Sequence, residues 1–313
     1  MIHVNVCLEG AEDWLFGDLK RGFLKHGLPG VRVTATETPL ADANAWIFIR
    51  TSEAATSPDL RRTVVCIHDV YNHETSYQPG GDRAAVRGAA GLVLCHPEQR
   101  RILRNEGIEL PAAVLERPLG ALEAFTVRDK PSDSFTAAWV GRSHPRKRPE
   151  WFVDALRQLR KKSGAVKAIL IGMDLQELRS DVQAVGVDCA HYDRADLTIE
   201  DYPPIYRNTD CVVITSSTEA GPLPLFESLA SGVPVISTPV GWSPILADCN
   251  PDCVLLATDP SSIATRMEQV RFKRGEYFRR RFEMARIVEY RLETWFPEVL
   301  QLAISLPGVR GQA

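Results

Sequence analysis

Residues 209–246 read TDCVVITSSTEAGPLPLFESLASGVPVISTPVGWSPIL, and the reading of this stretch decides the fold. The β-branched run 211–215 predicts a buried parallel strand. A polar loop over 216–221 follows it and carries Glu219. Pro222 and Pro224 stand where a helix begins, since a residue without an N–H loses nothing in a first turn. That helix spans about Leu223–Ala230 and breaks at Ser231-Gly232. A second strand over 233–237 and a glycine turn at Gly241 complete the unit.

Glu219 lies in the loop before the helix, and Glu227 lies about one turn inside it. Both can flank the helix N-terminus, where unsatisfied N–H groups and the macrodipole favour an anion such as phosphate. Carboxylates are poor phosphate ligands but good acceptors for hydroxyls. A ligand with sugars on both sides of a diphosphate satisfies all three groups. The competing reading is a pair of ordinary solvated helix-end glutamates.

A second stretch has similar logic. A strand over 135–140 runs into Gly141-Arg142-Ser143-His144-Pro145-Arg146-Lys147, and a helix starts near Pro149. Strand, glycine, cations and helix start converge on one place that suits an anion; a solvated basic turn is the plainer alternative. The strand over 165–172 ends at Gly172, where backbone can approach a nucleotide closely.

Together these stretches resemble the donor-binding signature of the retaining glycosyltransferases of family 4, which have the GT-B fold. The shared pattern is a Glu, seven residues, a second Glu, then small residue-Gly-Val-Pro-Val-Ile and a glycine turn, with Gly-Arg and a Lys five residues later in the basic turn. The resemblance implies an α/β architecture of two Rossmann-like doubly wound domains facing each other across a cleft. It implies that Arg142 and Lys147 bind the donor diphosphate, that Glu219 holds hydroxyls of the transferred sugar, and that Glu227 holds the nucleotide ribose. Gly221, Pro222, Leu223 and Gly141 would line the same seat, with Tyr192 near the base and Gly10 the counterpart of a glycine-rich first loop. The sequence departs from the pattern at Ala220-Gly221-Pro222, where Gly-aromatic-Gly is commoner, at Trp242, which replaces a second glycine, and at Pro244, where many relatives keep an acidic residue.

The 313 residues give room for two domains, and a 44% hydrophobic content suffices for packed cores. A net charge of −3 argues against a generally nucleic-acid-binding protein. Seven cysteines are scattered singly, most within apolar runs such as VVCIH and LVLCH, which predicts free buried thiols and a reducing cytoplasm. No metal site is expected at Cys249 and Cys253, which lack a second ligand pair. No apolar run reaches the ~18 residues a membrane helix needs, and the N-terminus lacks a basic-then-apolar signal.

Strands are expected at 2–7, 31–36, 45–50, 64–67, 91–95 and 113–115, with a turn over 9–13, a helix from about Asp13 to His26 and another over 98–106. Strands alternating with helices at this spacing describe a parallel doubly wound sheet, whose ligands bind at the carboxyl ends of strands. His68 ends one of these strands, and the resemblance makes it face the donor sugar. The domains expected are 1–122, a polar linker 123–134 containing Pro131, a donor domain 135–285 and a terminal helical segment 286–313 that returns to the first domain. Trp295-Phe296 would anchor that return.

From Arg271 to Arg291 the chain is densely basic with interleaved aromatics. Three readings compete: a packed helix with solvated or paired arginines, a contact with anionic lipid heads, or a phosphate track for an acceptor.

These readings converge on retaining transfer of a sugar from a UDP- or GDP-sugar donor to an unassigned hydroxyl acceptor, which is a small molecule, lipid, protein or modified nucleic acid. Charge developing on the leaving diphosphate would be met by Arg142, Lys147 and the helix N-terminus. No Asp-any-Asp triplet occurs, so metal-independent transfer is expected and no cofactor is called for. No carboxylate pair is placed as a glycosidase acid and nucleophile. The alternatives are a non-catalytic GT-B scaffold that binds a nucleotide sugar or a partner, and a GT-B epimerase. A phosphorylase is weaker, since nothing marks a pyridoxal-phosphate lysine.

Overall fold

The computed structural model describes residues 1–10, 15–69, 81–129, 134–163 and 165–309. The expected turn at 11–13, the helix start at Asp13 and Pro131 lie outside them. The chain divides into two compact units, one of Met1–Leu119 with Tyr290–Ala313 and one of Gly120–Glu289.

The first unit runs β1 (Ile2–Cys7), α1 (Leu15–Lys25), β2 (Val31–Thr36), β3 (Ala45–Phe48), β4 (Thr63–Ile67), α2 (Gly81–Gly88), β5 (Gly91–Leu94), α3 (Gln99–Asn105) and β6 (Ala113–Glu116). Its sheet is parallel throughout, in the order β2-β1-β3-β4-β5-β6. The chain reverses its direction of growth between β1 and β3, so the crevice at the carboxyl end of β1 is a switch point where doubly wound sheets bind ligands. Trp46, Phe48, Val65, Ile67, Leu92, Leu94 and Leu103 form the core on one face. Strands buried on both faces need no polar alternation, which is why these segments are continuous apolar runs in the sequence.

The second unit runs β7 (Thr136–Val140), α4 (Pro149–Ser163), β8 (Lys167–Gly172), α5 (Gln176–Ala184), β9 (Asp188–Asp193), α6 (Tyr202–Arg207), β10 (Cys211–Ile214), α7 (Leu223–Ala230), β11 (Val235–Ser237), α8 (Ser243–Cys249), β12 (Val254–Leu256), α9 (Pro260–Phe272), α10 (Arg274–Arg279) and α11 (Arg281–Ile287). Its parallel sheet has the order β12-β11-β10-β7-β8-β9. Here the switch point lies between β7 and β10. The two sequence stretches singled out above both leave the sheet there.

The last helix, α12 (Leu292–Ser305), belongs to the first unit. Trp295 and Phe296 are buried on it, with ring centroids 5.4 and 5.1 Å from Phe23 of α1. Burying each such aromatic stabilises the packing by roughly 2–3 kcal/mol. Gly22 makes the approach possible, since a Cβ there would fall 1.9 Å from the Phe296 ring.

Two residues of the segment expected as a linker, Phe125 and Arg128, pack into the second unit. Phe125 is buried with its ring 5.2 Å from Tyr206, and Arg128 is buried against Asp210, the Nη1–Oδ1 distance being 3.0 Å. Asp210 also accepts from Arg274 at 2.9 Å and from the Thr136 amide at 3.0 Å. Local composition could not reveal this pairing, because the buried partner of Arg128 lies 82 positions away.

The same geometry sorts the basic stretch. Arg274 is held by Asp210, Arg280 by Asp252 and Glu283, and Arg281 donates to the Arg128 carbonyl at 2.9 Å. Arg274 and Arg281 thereby brace the unit internally, while the carboxylates that hold Arg280 are exposed. Tyr277 packs, but Phe272 is 93% exposed and Phe282 is also exposed, so the aromatics do not all turn inward. No helix among the described residues is long and apolar enough to cross a membrane.

Candidate functional site

The site is assembled where β7 and β10 run side by side, Ala138 pairing with Val212 and Trp139 with Val213. Each strand delivers a loop at its carboxyl end, and hydrogen bonds zip the two loops together. The Trp139 indole donates to Thr215 Oγ1 at 3.0 Å, and that hydroxyl donates to the Lys147 carbonyl at 2.5 Å. The Ser217 amide donates to the Arg146 carbonyl at 2.7 Å. These bonds pair buried polar groups of the two loops and hold their tips at a fixed separation.

At those tips Lys147 Nζ lies 2.5 Å from Glu219 Oε1. Glu219 is 8% exposed, so its carboxylate has left most of its water and the ammonium replaces it. Lys147 ends a short 3₁₀ turn, Pro145–Lys147, which is capped by His144 accepting from the Arg146 amide. Arg148 then takes a left-handed conformation, φ 46°, with its guanidinium 4.5 Å above the Trp151 ring, and α4 begins. Arg142 is exposed at the start of this loop.

Two glycines hold the frame. A Cβ on Gly172, at φ 154°, would fall 1.5 Å from the Gly141 carbonyl oxygen, so the ends of β7 and β8 meet backbone to backbone. Gly241, at φ 53°, lies against the backbone of the Glu219 loop, where a Cβ would fall 2.5 Å from the Ala220 carbonyl oxygen. The glycine turn noted in the sequence thus buttresses the acidic loop from behind.

The helix start is narrower than the sequence suggested. No side chain caps α7, which leaves its N-terminus open. Pro222 and Pro224 bring no N–H, and the Leu225 amide donates to the Pro222 carbonyl at 3.0 Å. The backbone donors left for an anion in this turn are those of Gly221 and Leu223.

Glu227 lies inside α7. It is 2% exposed, and the Tyr206 hydroxyl donates to its Oε2 at 2.5 Å. Burial, together with the neighbouring Glu227 charge, pushes the Tyr206 phenol well above its ordinary pKa, so the proton stays on the phenol. The sequence could not supply that partner, because α6 and α7 meet only in the fold.

Tyr192 stands on β9, the edge strand, opposite Ile171 and beside Gly172, whose carbonyl lies 3.2 Å from His191 Nε2. Tyr192 is exposed, as a surface for stacking needs to be. In the first unit Gly10, φ 52°, follows β1, where Arg50 donates to the Glu9 carbonyl at 3.0 Å. His68 follows the end of β4, and burial lowers its pKa to about 4, so the imidazole is neutral at pH 7. Among the described residues no group of three His, Cys, Asp or Glu is arranged to hold a metal ion.

Residues 134–271 match the family model described as glycosyl transferases group 1. A D-inositol 3-phosphate glycosyltransferase of Paenarthrobacter aurescens is 27% identical over 207 residues, which is 61% of this chain and 51% of that protein. The chain therefore spans about half the length of this curated relative. Sucrose-phosphate synthase of Thermosynechococcus elongatus is similar at a TM-score of 0.74 with 15% identity, over 96% of this chain and 98% of that one. Anabaena HepE, solved in complex with UDP and glucose, is similar at a TM-score of 0.71 with 13% identity, over 97% and 100%. At such identities the likeness is one of fold. The two α/β units have the GT-B fold of these solved structures, and residues 134–271 are similar to the glycosyl transferases group 1 model.

Proposed function

We propose that the protein transfers a sugar, with retention of anomeric configuration, from a UDP- or GDP-sugar to a hydroxyl acceptor, without a metal ion. The observation that carries this reading is the Lys147–Glu219 pair at the β7/β10 switch point, beside the uncapped start of α7. The family match over the same residues and the UDP and glucose bound by HepE support it.

In this reading Lys147 and Arg142 with the Leu223 amide receive the diphosphate, and Glu219 accepts hydroxyls of the sugar. The bond between the anomeric carbon and the diphosphate oxygen breaks as the acceptor oxygen bonds on the same face. The acceptor's proton passes to the departing phosphate oxygen. In this reading the growing negative charge is met by Lys147, Arg142 and the start of α7. His68, neutral and a poor base at pH 7, offers a hydrogen bond to the substrate rather than taking a proton.

Isothermal titration with a panel of nucleotide sugars, paired with an assay for released nucleotide, tests the proposal. Release that depends on added acceptor, with the product's anomeric coupling matching the donor's, is expected. Binding without release under every acceptor class would leave a nucleotide-sugar-binding scaffold, and inverted product would refute retention.

A further inference from the structure

Three elements of the first unit close on His68. Phe16 of α1 and Trp295 of α12 lie 5.7 and 5.8 Å from its ring, centroid to centroid. Cys95, just past β5, places Sγ 3.5 Å from Nδ1. Backbone register fixes that third contact. β4 and β5 pair Ile67 with Leu94, and the Cys95 amide donates to the Ile67 carbonyl at 3.1 Å, so His68 and Cys95 leave adjacent strands side by side. On the far side of the ring Nε2 is closed off from solvent and has no partner among the described residues.

A neutral imidazole carries one proton, and the partner of one nitrogen decides which nitrogen bears it. The ring is neutral because burial lowers its pKa to about 4, against an opposing pull from Asp69. Cys95 is a thiol rather than a thiolate, because burial pushes it up to about 12, with Arg117 opposing and Asp69 adding to the shift. Protonated sulfur facing a lone-pair nitrogen is a donor facing an acceptor.

We propose that Cys95 is a positioning residue: its S–H donates to His68 Nδ1 and fixes the ring as the Nε2–H tautomer, leaving Nε2–H as the ring's one donor. A thiol packed only as a small apolar group would leave the tautomer unset. The tautomer is a property of the ligand-free chain; its use on a sugar oxygen rests on the transfer reading above.

Long-range ¹H–¹⁵N spectra of the imidazoles in the full ligand-free chain at pH 7 test this, with the His68 signals identified by their loss in His68→Gln. Wild type and Cys95→Ser should both show a pyrrole-like Nε2 and a pyridine-like Nδ1, while Cys95→Ala should show averaged nitrogens. An Nδ1–H pattern in wild type overturns the proposal, and so does an Ala variant identical to wild type. If the Ala variant does not fold, the wild-type and Ser spectra still decide. In turnover, Cys95→Ala should lower kcat/KM by up to about tenfold, the scale of one hydrogen bond, and Cys95→Ser should restore it. Absence of nucleotide release from wild type would fail the transfer reading while leaving the tautomer result intact.

Discussion

Lys147 Nζ and Glu219 Oε1 lie 2.5 Å apart although 72 positions of sequence separate them. Neither loop holds its side chain alone: the strand order places β7 beside β10, and the Thr215 and Ser217 bonds fix the distance between the tips. A diphosphate arriving at the α7 start would draw Lys147 toward itself and release Glu219 for hydroxyls. Lys147→Ala and Glu219→Ala should therefore each lower turnover at least ~100-fold, the scale for losing one preorganised charge contact. Near-wild-type nucleotide release from either variant would place the pocket elsewhere.

Gly172→Ala should damage the same site without touching its charges. The added methyl would collide with the Gly141 carbonyl, which is backbone and cannot swing aside. Thermal unfolding should report a loss on the order of 1–3 kcal/mol, the usual cost of overpacking, and nucleotide affinity should fall with it. Unchanged melting and binding would show that the β7 and β8 ends do not meet as described.

The buried Arg128–Asp210 pair should dominate the stability of the second unit. Both side chains are closed to solvent, so Arg128→Ala removes one of the two guanidinium groups paired with a buried carboxylate. A loss of about 3–5 kcal/mol is expected in denaturant unfolding. Arg279→Ala, on the exposed side of the same basic stretch, should change stability by no more than about 0.5 kcal/mol. Equal effects from the two variants would contradict the division into braces and surface charges.

His68 sets a pH dependence whose sign follows from burial. Its folded pKa, about 4, lies below the ordinary value of 6.5, so between these values the unfolded chain binds more protons. The stability held by the neutral ring is complete above pH 6.5 and is lost as pH falls from 6.5 toward 4. His68→Gln should flatten this part of the stability curve, by at most about 3 kcal/mol for a shift of this size. A wild-type-minus-variant difference that is constant across the window would remove His68 as the source.

Turnover should survive a chelator. Charge on the leaving diphosphate is met in the proposed mechanism by Arg142, Lys147 and the Leu223 amide, and no step is assigned to a cation. Complete loss of nucleotide release in chelator, restored by added divalent ion, would refute that assignment.

Local pattern determined much of this protein. The apolar runs at 2–7, 91–95 and 211–215 became central strands because a residue buried on both faces of a sheet needs no polar partner. Pro222 and Pro224 marked the start of α7, and Gly232 its end, through backbone constraints that act within a few residues. Gly141 and Gly172 stood out as strand-end glycines, and the signature around Glu219 pointed to a nucleotide sugar. The helix α8 escaped notice because Gly241-Trp242-Ser243-Pro244 looks like a turn until Pro244 is seen in a first turn.

Only the tertiary structure decided which side chains meet. Lys147 finds Glu219, Tyr206 finds Glu227, Asp210 collects Arg128 and Arg274, and Cys95 reaches His68. Each pairing depends on strand order or on helices from distant parts of the chain, and hydrophobic periodicity carries no information about either. The basic stretch shows this most plainly. In sequence its arginines are indistinguishable, whereas a buried aspartate more than sixty positions away holds one of them in an internal ion pair.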